Sequence, residues 1–171
     1  MMGDVIKGRN LKIQWGSRSI TKSDWLEIKA FLKVYNIHLI LEYGVGLSTE
    51  LLLLEGYQVH NLECTDFYAH MFSRKTGHGV IPYEEKVGPP DLAKEFPFAL
   101  VDSPKSGRKL EVQHAICHAS RFIYMHNPRK ENIEDLEQAG WEPIEELSQY
   151  HGFFRFYRSK QEARANASNG I

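Results

Sequence analysis

Glu42-Tyr43-Gly44-Val45-Gly46-Leu47-Ser48-Thr49 is the stretch that decides the fold of this chain. It follows the strand-like run His38 to Glu42 and leads into Leu51 to Leu54, a helical segment with Ser48 and Thr49 as caps and a stop at Gly56. Glycines let a backbone turn tightly at such a junction and let a ligand approach it closely. A Gly-x-Gly turn alone is a common strand-to-helix connection. Here the next strand, Gln58 to Leu62, ends at Glu63, 17 residues beyond Gly46. An acid at that edge can take both hydroxyls of a ribose, so the two signals together predict a nucleoside-binding turn.

Working outward, strand-like and helix-like segments alternate, which is the pattern of an α/β domain with a largely parallel sheet and helices on both faces. Upstream, Thr21, Ser23 and Asp24 offer cap oxygens, Asp24 and Glu27 have capping-box spacing, and Trp25, Ile28, Phe31 and Leu32 share one helix face ending near Tyr35 or Asn36. Downstream come a helix over Asp66 to Arg74, a strand over Val80 to Tyr83, and a Pro89-Pro90 loop before a short helix. Phe98 to Val101 is a buried strand ending at Asp102, and a helix through Leu110, Ala115 and Ile116 follows it. Phe122 to Met125 is the next strand, ending at His126-Asn127-Pro128, and Glu131 to Gln138 is a helix closed by Gly140.

Trp141 to Leu147 and Gly152 to Arg158 then read as two strands with no helix between them, hence an antiparallel hairpin. Period-two alternation puts Phe154 and Phe156 on one face and Phe153 and Tyr157 on the other. Both faces carry aromatics, so helices should cover both. Residues 1–20 are expected to form an N-terminal arm, 21–159 the domain, and 160–171, without an apolar face, a flexible solvated tail.

Composition narrows the partners. The chain has 171 residues, 42% of them hydrophobic, enough for the core of one domain. Its net charge of −1 gives no general basic excess for nucleic acid or anionic lipid. The apolar runs Ile37 to Leu41 and Leu51 to Leu54 fall far short of the roughly 18 residues of a membrane span. Cys64 and Cys117 form neither a disulfide framework nor a zinc pairing, and a cytoplasmic location is expected.

The residues around the glycines select the ligand. Thr49 and Glu50 stand where a dinucleotide-binding turn has its third small residue, and an acid in the first helical turn repels a pyrophosphate. Glu42 instead suits a ligand bearing an α-amino group and a sulfonium. That ligand is S-adenosyl-L-methionine (SAM), expected to bind at Glu42, Gly44, Gly46, Ser48 and Glu63.

From about Trp25 to Arg158 the chain resembles the class I SAM-dependent methyltransferases, whose parallel sheet carries an extra antiparallel strand. Within it, Val80-Ile81-Pro82-Tyr83, Val101-Asp102-Ser103-Pro104-Lys105 and Tyr124-Met125-His126-Asn127 resemble the glucuronoxylan 4-O-methyltransferase family, as does the closing Tyr150 to Phe156. The resemblance implies methyl transfer from SAM to a small polar acceptor, a sugar-like or other hydroxyl. A noncatalytic SAM- or nucleoside-binding module of the same fold is one alternative. An N-methyltransferase acting on nucleic acid is another, but it would want an aromatic after an Asp/Asn-Pro-Pro motif, where this chain has Asp102-Ser103-Pro104-Lys105.

The candidate catalytic residues are Asp102 and His126, which follow strands that this fold sets side by side at a spacing of about 4.8 Å. A carboxylate beside an imidazole can act as base and orienter for a hydroxyl that loses its proton during methyl transfer. Alternatively, Asp102 caps the loop Ser103 to Gly107 and His126 packs against it. No metal is expected. Asp102 with Asn127 matches part of the magnesium set of catechol-type O-methyltransferases but lacks its further acid, and Glu111, His114 and His118 share a helix face at a spacing that could bind zinc but that reads as the helix's solvated side. Lys105, Arg108, Arg129 and Lys130 form either a basic rim for an acidic acceptor or scattered surface charge, and Trp15, Arg18 and Lys22 belong to an arm able to fold over the cofactor.

Overall fold

A computed structural model describes residues 20–102, 108–144, 147 and 156–168. Its centre is strand β1 (Leu39–Tyr43), whose last four residues are buried. β1 pairs in parallel with β2 (Gln58–Glu63) on one side and with β4 (Phe96–Val101) on the other. β3 (Val80–Pro82) extends the β2 side, and β5 (Ala119–Met125) extends the β4 side, both in parallel. β7 (Phe156–Ser159) then lies antiparallel to β5, with β6 (Trp141–Pro143) antiparallel beyond it. The order β3-β2-β1-β4-β5-β7-β6 reverses direction at β1, so chain connections diverge there and leave a crevice at the carboxyl ends of β1 and β4.

Alternation in the central strands builds a core on each face. Phe98, Leu100, Phe122, Tyr124 and Phe156 pack with α1 (Lys22–Val34), whose Trp25, Ile28, Phe31 and Leu32 form the apolar stripe read from the sequence. Ala99, Val101, Ile123, Met125 and Tyr157 face the other way, against Val112 and Ala115 of α4 (Arg108–His118) and Leu136 of α5 (Lys130–Gln138). Phe156 and Tyr157 therefore divide between the faces as expected, while Phe153 and Phe154 lie outside the described residues. α2 (Leu47–Leu54) and α3 (Asp66–Thr76) complete the layers between β1, β2 and β3.

Three expectations are corrected. The capping box closes on Thr21 and Asp24, not on Asp24 and Glu27: Thr21 Oγ1 accepts from the Asp24 amide at 3.2 Å and Asp24 Oδ2 from the Thr21 amide at 2.9 Å. The segment after Pro89-Pro90 forms no helix: only five residues, 91–95, separate Pro90 from β4, and they lead into the strand without a helical turn. Lys160–Ser168 is helix α6 rather than a flexible tail. Ser159 Oγ accepts the Glu162 amide at 3.2 Å, and Glu162 takes a two-bond grip from Arg121 at 2.9 and 3.0 Å. Ser159-x-x-Glu162 is a cap signal that the polar composition of the segment obscures. The N-terminal arm up to residue 19 lies outside the described residues, and none of the described helices is long and apolar enough to cross a membrane.

Candidate active site at the carboxyl ends of β1, β2, β4 and β5

The turn after β1 is shaped by two glycines for different reasons. Gly44 has φ +91°, a conformation costly for any side chain, and its amide donates to Leu62 O at 2.8 Å, fastening the turn to β2. Gly46 has an extended φ of 177°, which any residue tolerates, and a Cβ built there would meet nothing within 4 Å. Neither backbone nor packing accounts for a glycine at 46. Its bare Cα keeps open the space into which a ligand would come.

Glu63 closes the turn from the neighbouring strand. It is 3% exposed, with Oε2 accepting from the Val45 amide at 3.0 Å and Oε1 from the Thr65 amide at 2.8 Å. Oε1 also takes the Cys64 thiol at 3.7 Å, so Oε2 is the oxygen with a second lone pair for a hydroxyl donor. Glu42 is fully buried, and its parallel register partner on β2 is Asn61. Asn61 Nδ2 donates to Glu42 Oε2 at 2.8 Å, while Asn61 Oδ1 meets His78 Nε2 at 2.7 Å, so the orientation of the amide makes the imidazole the donor. Burial pushes the Glu42 carboxyl up to about 7, with Ser48, Asn61 and Thr49 pulling partly back. Glu42 Oε1 has no partner in good hydrogen-bond geometry.

Asp102 and His126 extend their strands by one residue. The Asp102 amide donates to Tyr43 O at 3.1 Å and the His126 amide to Val101 O at 3.0 Å. This brings Asp102 Oδ1 within 2.7 Å of His126 Nδ1, with both side chains largely sheltered. A carboxylate only accepts, so Nδ1 carries the proton, and the Nε2 lone pair of the neutral ring accepts from the Asn127 amide. Asn127 Nδ2 stands 3.2 Å from that Nε2 and Asn127 itself adopts φ +52°. Arg108 NH1 donates to the carbonyls of both His126, at 2.7 Å, and Asn127, at 2.8 Å.

The reading of the α4 face is corrected. That face is not a solvated side, since Glu111 is 0% exposed and His118 8%. The His114 and His118 rings lie 4.2 Å apart between centroids, but each side chain has its own partner: His114 joins Tyr43 Oη at 2.7 Å and Pro90 O at 2.8 Å, His118 pairs with Asp91 at 3.1 Å, and Glu111 binds the Tyr83 hydroxyl. Among the described residues no group of three or more His, Cys, Asp or Glu is placed to hold a metal ion. Arg108, read as rim charge, is buried instead, whereas Arg129 and Lys130 pair on the surface with Glu131 and Glu134. Lys105 lies outside the described residues, as do Trp15 and Arg18 of the arm.

Two buried acids set an unusual pH response. Burial also pushes Glu111 up to about 7. Between the ordinary value of 4.5 and about 7 the folded chain keeps protons on Glu42 and Glu111 that the unfolded chain releases, so these groups make stability fall as pH rises through that window. Replacing Glu42 by Gln should remove its share, on the order of 2 kcal/mol, from the difference in unfolding free energy between pH 5 and pH 7.5. Urea unfolding at the two pH values measures it, and an unchanged difference would contradict the burial argument.

No family model matches the chain, and no curated protein matches it in sequence. Solved structures do match it. The O-methyltransferase from Bacillus cereus in complex with S-adenosylhomocysteine (SAH) aligns with TM-score 0.54 and 13% identity over 84% of this chain and 82% of its own. A SAM-dependent O-methyltransferase from Thermotoga maritima gives 0.52 and 12% over 88% and 68%. The chain has the class I methyltransferase fold. A tRNA methyltransferase from Aquifex aeolicus, at TM-score 0.51 and 14% identity over 92% and 75%, shares it as well. The finer resemblance to the glucuronoxylan 4-O-methyltransferase family is carried by none of these matches.

Proposed function

We propose that this protein is a SAM-dependent methyltransferase acting on a hydroxyl of a small polar acceptor. The observation that carries the reading is the Asp102–His126 pair, 2.7 Å apart, on the same sheet edge as an open glycine turn closed by Glu63. Fold similarity to O-methyltransferases and the local resemblance to the glucuronoxylan family support a hydroxyl acceptor, and the near-neutral net charge favours a small molecule over nucleic acid.

The residues present fit SAM. Glu63 Oε2 retains a lone pair for a ribose hydroxyl, Gly46 leaves space beside the turn, and Glu42 sets a buried carboxyl at the end of β1 where that turn starts. When bound, SAM supplies an electrophilic methyl group. The chain's task is then to hold an acceptor oxygen in line and remove its proton. His126 Nε2 takes that proton once the acceptor hydroxyl replaces Asn127 Nδ2 on it, while Asp102 fixes the ring and stabilises the imidazolium formed.

Calorimetry with SAH and NAD, followed by conversion of SAM to SAH in the presence of sugars or phenols, tests the reading. SAH should bind more tightly than NAD. Glu63→Ala should weaken SAH binding by about 1.5 to 3 kcal/mol through loss of charge-assisted hydrogen bonds. Tighter binding of NAD would sink the assignment.

A further inference from the structure

We propose that Arg108 is a positioning residue for the transfer step, acting through the His126-Asn127 backbone to keep the His126 ring on Asp102. The proposal rests on the reading of His126 as the base.

The placement of Arg108 is costly for the helix it begins. A cation in the first turn of α4 opposes the helix dipole, and only 4% of the residue is exposed. Asp102 and Glu111 offset the burial of its charge. Its guanidinium meets the turn after β5, with NH1 donating to two successive carbonyls at 2.7 and 2.8 Å. Two acceptors on one nitrogen fix the orientation of both peptide planes. Asn127, flanked by these two peptide planes, stands at φ +52°, in the left-handed region that asparagine tolerates better than other non-glycine residues. The same turn sets the direction of the His126 ring towards Asp102 Oδ1 and brings Asn127 Nδ2 to Nε2. Arg108 itself is bonded to backbone rather than to the imidazole, so its effect on the base is indirect.

The test uses the full chain with Arg108→Lys and Arg108→Met. Lysine keeps the charge but lacks the reach and planar geometry of the guanidinium. Nitrogen-15 spectra of the His126 imidazole, assigned by comparison with His126→Gln, report which ring nitrogen holds the proton without depending on turnover. The wild type should show protonated Nδ1 and bare Nε2, and both variants a mixture of the two forms. Turnover should fall about 10- to 100-fold at unchanged SAH affinity, the scale of a small misplacement of a reacting group, with Arg108→Lys the less affected. An unchanged tautomer in a folded variant would overturn the proposal, as would failure of both variants to fold, which would make Arg108 a purely structural residue. A wild type with protonated Nδ1 but no methyl transfer to any acceptor would instead count against the proposed function.

Discussion

Asp102→Asn should lower methyl transfer by about 10² to 10⁴-fold while leaving the fold and SAH binding intact, the usual contribution of a positioned general base. Asn is nearly the same shape as Asp but can offer an amide N–H to His126 Nδ1. The ring then presents Nδ1 as acceptor and carries its proton on Nε2, the nitrogen that must be bare to receive one. Loss of the negative charge also removes the group that stabilises the imidazolium across 2.7 Å. Steady-state turnover with calorimetry on the same preparation checks this. Unchanged turnover would rule the role out, and loss of SAH binding would make Asp102 a cofactor ligand in a noncatalytic module.

The largest effect on stability is expected at Phe31, which is 3% exposed on α1. Its ring stacks on Phe156 at 4.5 Å, meets Phe122 edge-on at 4.9 Å, and touches Tyr35 at 4.5 Å and Phe98 at 5.9 Å. It therefore joins α1 to β4, β5 and the antiparallel strand at one point. Phe31→Ala deletes the ring from all of these contacts and should cost about 3 to 5 kcal/mol. That is a large part of the 5 to 15 kcal/mol on the order of which domains are stable. Urea unfolding measures it against Phe67→Ala, whose ring is 67% exposed and whose loss should cost less than about 0.5 kcal/mol.

What the sequence made legible was local in origin. The strand, the glycine turn and the helix over Leu39–Leu54 lie within a few residues of one another, so their signals need no knowledge of the rest of the chain. The hairpin was legible for a similar reason, since period-two aromatics without an intervening helix leave few arrangements. Asp102 and His126 were placed together by the expected strand order, and β4 and β5 are indeed paired. Their hydrogen bond belongs to the structure alone.

The parts that were hidden depend on distant partners. Glu111 looks like a surface acid until Tyr83, 28 residues away, is brought over it. Arg108 looks like a rim charge until the carbonyls after β5 arrive beside it. Asn61 gave a faint signal, a polar residue in a strand bordered by Leu62 and destined to face Glu42, but only the register of β1 with β2 makes it meaningful. The capping box at Thr21 shows a different limit. Both Thr21-Asp24 and Asp24-Glu27 have the spacing, and the choice follows from where the chain first becomes helical.

The two outermost strands also have a bearing on how the protein keeps to itself. β3 and β6 are each three residues long, and each ends on a proline, Pro82 or Pro143. A proline has no amide hydrogen to offer, and so short a strand exposes few unpaired backbone groups. The apolar centre of the sheet is thus fenced on both sides by strands that make poor templates. Among the described residues, another copy of the chain meeting either margin of the sheet would find little ladder to extend.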